Sequence, residues 1–196
     1  MVSVRRLGDQ RTMPVNTYAV LEDVFTPAEL DGIEQLGDRL AQQRATITSE
    51  RQLNAAIRVT RIAWITPEPE HRDLFARIGG AVQRLNAQFF RFDIKELEPF
   101  QYTIYQESEG GHYGWHVDSG PHSPAPRKLS LSLQLSESAS YKGCDLQFQF
   151  GPGIDTAPRT RGALIAFPSF FLHRVTPIQS GVRKALVIWA NGPEFR

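Results

Sequence analysis

The chain has 196 residues, 41% of them hydrophobic, with 22 lysines and arginines against 21 aspartates and glutamates. That length and apolar content suit one domain with its own core, residues 1–196, while a formal net charge of +1 excludes the overall basic field that favours nucleic acid or anionic lipid. The lone Cys144 cannot form an internal disulfide, and no apolar run has the length of a signal peptide or a membrane span, so a cytoplasmic protein is expected.

The first predicted helix begins at Thr26, where Thr26-Pro27-Ala28-Glu29 joins an N-cap threonine, a proline in the first turn and the glutamate of a capping box. Leu30, Ile33, Leu36 and Leu40 supply its apolar stripe. A second helix follows Pro67, with Leu74, Phe75, Ile78, Val82, Leu85 and Phe89 at helical spacing and an interruption at Gly79-Gly80. Residues 1–98 are therefore read as helical support.

Beyond Pro99 the texture changes to short β-branched and aromatic runs separated by Gly and Pro. Strands are predicted at 100–106, 112–118, 128–136, 145–150, 163–167, 171–176 and 183–190, which makes residues 99–192 a sandwich or barrel. In the third run Leu129, Leu131, Leu133 and Leu135 alternate with Ser130, Ser132, Gln134 and Ser136. The leucine face suits packing under the helices, and the polar face lines either solvent or the barrel interior. The absence of any charge on it favours the interior, since exposed strand faces commonly carry Lys, Glu or Arg.

Two sequence features suggest chemistry. In GGHYGWHVDSG, residues 110–120, His116 and Asp118 lie two apart, so on an extended strand an imidazole and a carboxylate would share one face. A metal held by that pair needs another ligand, and His173, at the end of an apolar strand, is the candidate. Two histidines and one carboxylate form the facial triad that leaves three positions of an octahedral iron(II) open. Further on, Arg183 and Lys184 interrupt an apolar strand with no acid nearby in sequence, and a bound dicarboxylate would serve as partner. Adjacent strand residues face opposite ways, so only one points inward; Arg183 has the fork suited to a carboxylate.

His116-Val117-Asp118, His173 and Arg183, in this order, together with YKGCDLQF and HRVTPIQSGVRKALVIW, resemble the 2-oxoglutarate and iron(II)-dependent dioxygenases in their prolyl 4-hydroxylase-like branch. The resemblance covers about residues 100–192. It implies an α+β fold, mainly β, whose core is a double-stranded β-helix (jelly roll) flanked by N-terminal helices. It also implies iron held by His116, Asp118 and His173, and 2-oxoglutarate chelating that iron with its far carboxylate on Arg183. The reaction implied is hydroxylation of an unactivated C–H bond by dioxygen, with release of succinate and CO2; ascorbate is an accessory reductant the family admits. By the same resemblance Tyr105, Tyr113 and Gln134 contact the co-substrate and Trp189 walls the pocket, although ordinary packing explains each equally well.

Other residues have plainer readings. His112 shares the strand parity of His116 but also fits an exposed glycine loop, His122 lies in a loop beside the ligands, His71 reads as a surface residue, and Cys144 reads as a small filler rather than a nucleophile. Asp118 argues against a halogenase, which would need a small residue in its place. Trp189, standing where a demethylase of nucleic acids would carry a second arginine, argues against that activity. A non-catalytic β-barrel binding module that keeps a metal is the alternative from another class. The substrate is expected to be a peptide or a small molecule, with a prolyl or other amino-acid side chain as the family-level expectation. The loops that would choose it, at about 44–58 and 119–127, have no readable code, and the sequence does not indicate the oligomeric state.

Overall fold

A computed structural model describes residues 2–6, 16–45, 56–119 and 126–194. Helix α1 (Pro27–Arg39) starts as expected: Thr26 Oγ1 accepts from the Glu29 amide, and Glu29 Oε2 accepts from the Thr26 amide at 2.7 Å. Helix α2 (Arg72–Leu85) runs through Gly79-Gly80 without a break. Two glycines cost a helix about 1 kcal/mol each relative to alanine, and burial of Ile78, Val82 and Leu85 outweighs that.

Among the described residues the strands, all paired antiparallel, form two sheets. Those of the major sheet are β1 (Val2–Arg6), β2 (Asn16–Leu21), β3 (Gln43–Arg44), β5 (Arg61–Ile65), β6 (Glu96–Leu97), β7 (Phe100–Gln106), β9 (Arg127–Gln134), β10 (Tyr141–Gly143), β13 (Leu164–Pro168) and β15 (Ile178–Asn191). Their order is β1-β2-β13-β9-β15-β7-β5-β3, with β6 and β10 on β15. The minor sheet has the order β12-β11-β14-β8-β4, from β12 (Gly153–Thr156), β11 (Leu146–Phe150), β14 (His173–Val175), β8 (His112–His116) and β4 (Arg58–Val59). This is the α+β architecture with a double-stranded β-helix core that the sequence led us to expect.

The N-terminal half is not purely helical support, because β2 and β5 extend the major sheet on both sides. They escape notice in the sequence because each is short and lies next to a stronger helical stripe. His71 is also corrected: it is buried, with Nδ1 2.8 Å from the Thr66 carbonyl.

Side-chain alternation builds the layers. Leu129, Leu131, Leu133 and Leu135 face the helices and share one core with Leu30, Ile33, Ile78, Val82 and Leu85. Ala19 and Leu21 of β2 join that core, while Tyr18 and Val20 face a second one between the sheets, with Phe148, Ile165, Phe167 and Val175. Ser130, Ser132 and Gln134 are all buried, so the polar face of β9 lines the interior.

Candidate metal and co-substrate site

The strand predicted over 112–118 ends at His116, and Asp118 lies in the turn beyond it. Convergence of the two side chains therefore does not come from strand parity. It comes from the anchoring of the turn: the amides of Asp118 and Ser119 donate to the Ser169 carbonyl at 2.8 and 3.1 Å. That contact fastens the end of β8 to the β13–β14 connection. His173 opens β14 rather than ending a strand, and it pairs directly opposite His116.

His116 Nε2 lies 3.6 Å from Asp118 Oδ1, and His173 Nε2 lies 3.5 Å from Asp118 Oδ2. One donor atom from each of the three residues falls within 4.8 Å of the others. Each imidazole is held by its other nitrogen: Nδ1 of His116 is 2.8 Å from the Gly114 carbonyl, and Nδ1 of His173 is 2.9 Å from the Phe171 carbonyl. A carbonyl only accepts, so both Nδ1 atoms carry a proton and both Nε2 atoms face the common centre. Burial, reinforced by the neighbouring His173, holds His116 well below the usual imidazole range and so neutral. For Asp118, burial pushes the carboxyl upward, but His173, His116, Ser130 and Trp189 together hold it below the usual range and so ionised. Two imidazoles with Nε2 turned inward and one carboxylate are the residue types of a divalent-metal donor set.

Around the triad, Ser130 Oγ donates to Asp118 Oδ2 at 2.7 Å and lies 2.9 Å from Ser169 Oγ. The Tyr113 ring stacks on His116 with centroids 3.5 Å apart, and Phe167 meets His173 edge-on at 4.7 Å. Trp189 is buried under the Arg127 guanidinium, 3.8 Å above its ring, and Arg127 is itself held by Glu98. Trp189 is near enough to stabilise the Asp118 charge, although its Nε1 meets no acceptor in hydrogen-bonding geometry among the described residues.

Arg183 and Lys184 separate as strand parity demands. Lys184 turns to the helices and pairs with Glu34 and Asp38 at 2.8 Å each. Arg183 points inward and is only 2% exposed. Its Nε and Nη2 donate to Gln134 Oε1 at 3.2 and 3.0 Å, and its Cζ lies 5.5 Å from the Tyr105 ring centroid. No carboxylate among the described residues pairs with it. Burial pushes the Tyr105 hydroxyl up to about 12, so it is a neutral donor. The interior thus holds a guanidinium without a counterion and a metal-ligand cluster; these suit the two ends of a chelating dicarboxylate.

His112 lies outside the cluster, with Nδ1 2.8 Å from the Gly110 carbonyl. Cys144 is buried beside Tyr105 and Tyr141 as a filler. His122 and most of the two expected substrate loops, residues 46–55 and 120–125, lie outside the described residues. Sequence reasoning missed Ser169 and Arg58, and saw Ser130 only as part of a polar face. Ser130 was findable, since its parity on β9 already aimed it inward; Ser169 reaches the site only through the turn contact.

Fold and site together define a double-stranded β-helix protein with a two-histidine, one-carboxylate cluster that could hold a metal ion. Residues 100–191 match the model of the 2OG-Fe(II) oxygenase superfamily. A PKHD-type hydroxylase of Synechococcus sp. (strain CC9902) is 41% identical over 86 residues, which are 44% of this chain and 39% of that protein. One of Teredinibacter turnerae is 34% identical over 130 residues, 62% of this chain and 57% of that protein. The alignments with these two thus span between about two fifths and three fifths of the relatives' length. A Pseudomonas putida prolyl-4-hydroxylase has the same fold, with a TM-score of 0.71 at 18% identity, covering 89% of this chain and 92% of that one. So does a Trichoplax adhaerens prolyl hydroxylase solved with a hypoxia-inducible-factor peptide, with a TM-score of 0.71 at 17% identity, covering 89% and 83%. Residues 100–191, a little under half of the chain, thus resemble the 2OG-Fe(II) oxygenase superfamily, and the fold is that of the prolyl hydroxylases.

Proposed function

We propose that the protein is an iron(II)- and 2-oxoglutarate-dependent dioxygenase that hydroxylates an unactivated C–H bond, releasing succinate and CO2. The acceptor is a prolyl or other amino-acid side chain, in a peptide or a small molecule. The observation that carries this reading is the buried, acid-free Arg183 set in the same interior as the triad. A structural metal alone would give no reason to bury an unpaired guanidinium.

In this reading Nε2 of His116, the Asp118 carboxylate and Nε2 of His173 hold iron(II), and Arg183 receives the far carboxylate of the co-substrate. Iron and 2-oxoglutarate supply the activation of dioxygen when bound. The protein's own groups position and exclude. Gln134 fixes the plane of the guanidinium, and the neutral Tyr105 hydroxyl adds a donor beside it. Tyr113 fixes the face of His116, while Trp189 and Phe167 keep the surroundings dry. The single thiol, buried at Cys144, is in keeping with a cytoplasmic setting, which is part of the proposal.

Anaerobic titration with iron(II) and then 2-oxoglutarate tests the reading through the metal-to-ligand charge-transfer band of the chelate. His116→Ala, Asp118→Ala and His173→Ala are each expected to remove the band and succinate formation while the protein stays folded. Arg183→Ala is expected to raise the 2-oxoglutarate requirement far more than the iron requirement. Folded wild-type protein that binds metal but gives no band would instead be a binding module.

A further inference from the structure

Arg58, on β4, is a cation that the reading above does not use. Its Nη2 donates to Gln101 Oε1 at 2.8 Å, and its Cζ lies 4.5 Å from the centroid of the Tyr113 ring, the ring that stacks on His116. Its Nε is buried without a hydrogen-bond partner among the described residues.

Three guanidiniums bear on Tyr105 and Tyr113: Arg58, Arg127 and Arg183. Arg127 is neutralised by Glu98, at 2.6 and 2.7 Å. Arg183 is matched to the co-substrate. Arg58 has no carboxylate partner among the described residues. With iron(II), the Asp118 carboxylate, the two co-substrate carboxylates and Arg183 in place, the formal charges of the centre cancel, and the charge of Arg58 is left over. A partly desolvated guanidinium without a counterion is costly, and a ligand carboxylate relieves that cost.

Arg183 and Arg58, neither with a carboxylate partner among the described residues, sit at different depths. Arg183 is sealed in, whereas Arg58 is half-buried and follows Ile57, which is 39% exposed. The Ile57 carbonyl accepts from Gly114 at 2.7 Å, which fastens this segment to the strand carrying His116. Arg58 is therefore not closed off from solvent as Arg183 is, and it lies against the ring that stacks on His116.

We propose that Arg58 binds a carboxylate of the primary substrate, so that the substrate class is an amino acid or peptide presenting a free carboxylate beside the oxidised carbon. This rests on the oxygenase reading.

The probes are N-acetyl amino acids, each paired with its carboxamide, added to the anaerobic protein loaded with iron(II) and 2-oxoglutarate. Binding is read by tryptophan fluorescence and by the shift of the charge-transfer band. In the wild type, at least one probe is expected to bind about tenfold or more tightly than the same probe with its recognised carboxylate, α or side-chain, amidated, the size of one charge-assisted hydrogen bond. Preference for the acid whatever the side chain assigns the α-carboxylate. Equal binding of only the aspartyl and glutamyl amides assigns a side-chain carboxylate. Arg58→Gln is expected to erase the preference without raising the 2-oxoglutarate requirement. Arg58→Lys, which keeps the charge but loses the fork, is expected to retain part of it, and it serves if the glutamine variant does not fold. No carboxylate binding in any pair, or a preference that survives Arg58→Gln, overturns the proposal. So does a raised 2-oxoglutarate requirement, which would move Arg58 to the co-substrate. Failure of the oxygenase reading would show separately, as a missing band before any probe is added.

Discussion

Ser130 binds no metal, yet its hydroxyl holds the Asp118 carboxylate in the orientation that faces both imidazoles. Removing such a support typically costs a metal site about tenfold to a hundredfold in affinity. Ser130→Ala is therefore expected to weaken metal binding by about that factor in competition with a chelator, while the loss of one buried hydrogen bond costs only about 1 kcal/mol of stability. Unchanged metal affinity would show that the turn contact to Ser169 is enough to place Asp118. Cys144 gives a pH prediction. Burial raises its thiol from the ordinary 9.0 to about 11, so the unfolded chain ionises first. The contribution of this group to stability is complete below pH 9.0 and is lost as pH rises toward about 11. The native thiol is accordingly expected to resist alkylation at pH 8 and to react once denaturant is added; rapid labelling of folded protein would contradict its burial.

At the scale of elements, helix α1 depends on one small residue. A Cβ on Gly37 would stand 2.4 to 2.6 Å from the ring carbons of Tyr102, a buried side chain whose hydroxyl donates to Asp38 on the same helix. The helix lies this close to the sheet only because position 37 has no side chain. Gly37→Ala is expected to destabilise the protein by about 1–3 kcal/mol through overpacking. Gly32, exposed on the same helix, has nothing within 4 Å of an added Cβ. Gly32→Ala is expected to be neutral or stabilising by up to about 1 kcal/mol. Thermal melts of the two variants should move in opposite directions, and equal shifts would mean that helix propensity rather than contact governs both. Strand β9 shows the other use of periodicity. Its leucines close the core under the helices, and its polar residues, on the opposite face, support Asp118 and Arg183.

For the whole molecule, the strands around the candidate site and the N-terminal helices share one apolar core, because Leu129 to Leu135 pack on Leu30, Ile33, Ile78 and Val82. We accordingly propose that residues 1–196 are one unit, in which the N-terminal part completes the core and also carries Arg58. A fragment of residues 99–196 would expose that leucine face and is expected to aggregate or remain unfolded by circular dichroism; a stable, metal-binding fragment would refute this. The described residues contain no helix long and apolar enough to cross a membrane.

The sequence alone determined what depends on neighbours along the chain. The capping box at Thr26, the helical stripes, the alternation on β9 and the opposite facing of Arg183 and Lys184 follow from local geometry with fixed periods of about 3.6 and 2 residues. It also supplied the three ligand types, through a pattern of spacing. Only the tertiary structure decided how they meet. His116 faces His173 through the register of β8 and β14, and Asp118 reaches them because its turn hangs on Ser169, not because it continues the strand. The same holds for Arg58, the β2 and β5 extensions of the sheet, and the burial of His71. Each of these rests on a contact between segments far apart in the chain, and no local period encodes which distant partner a residue will find.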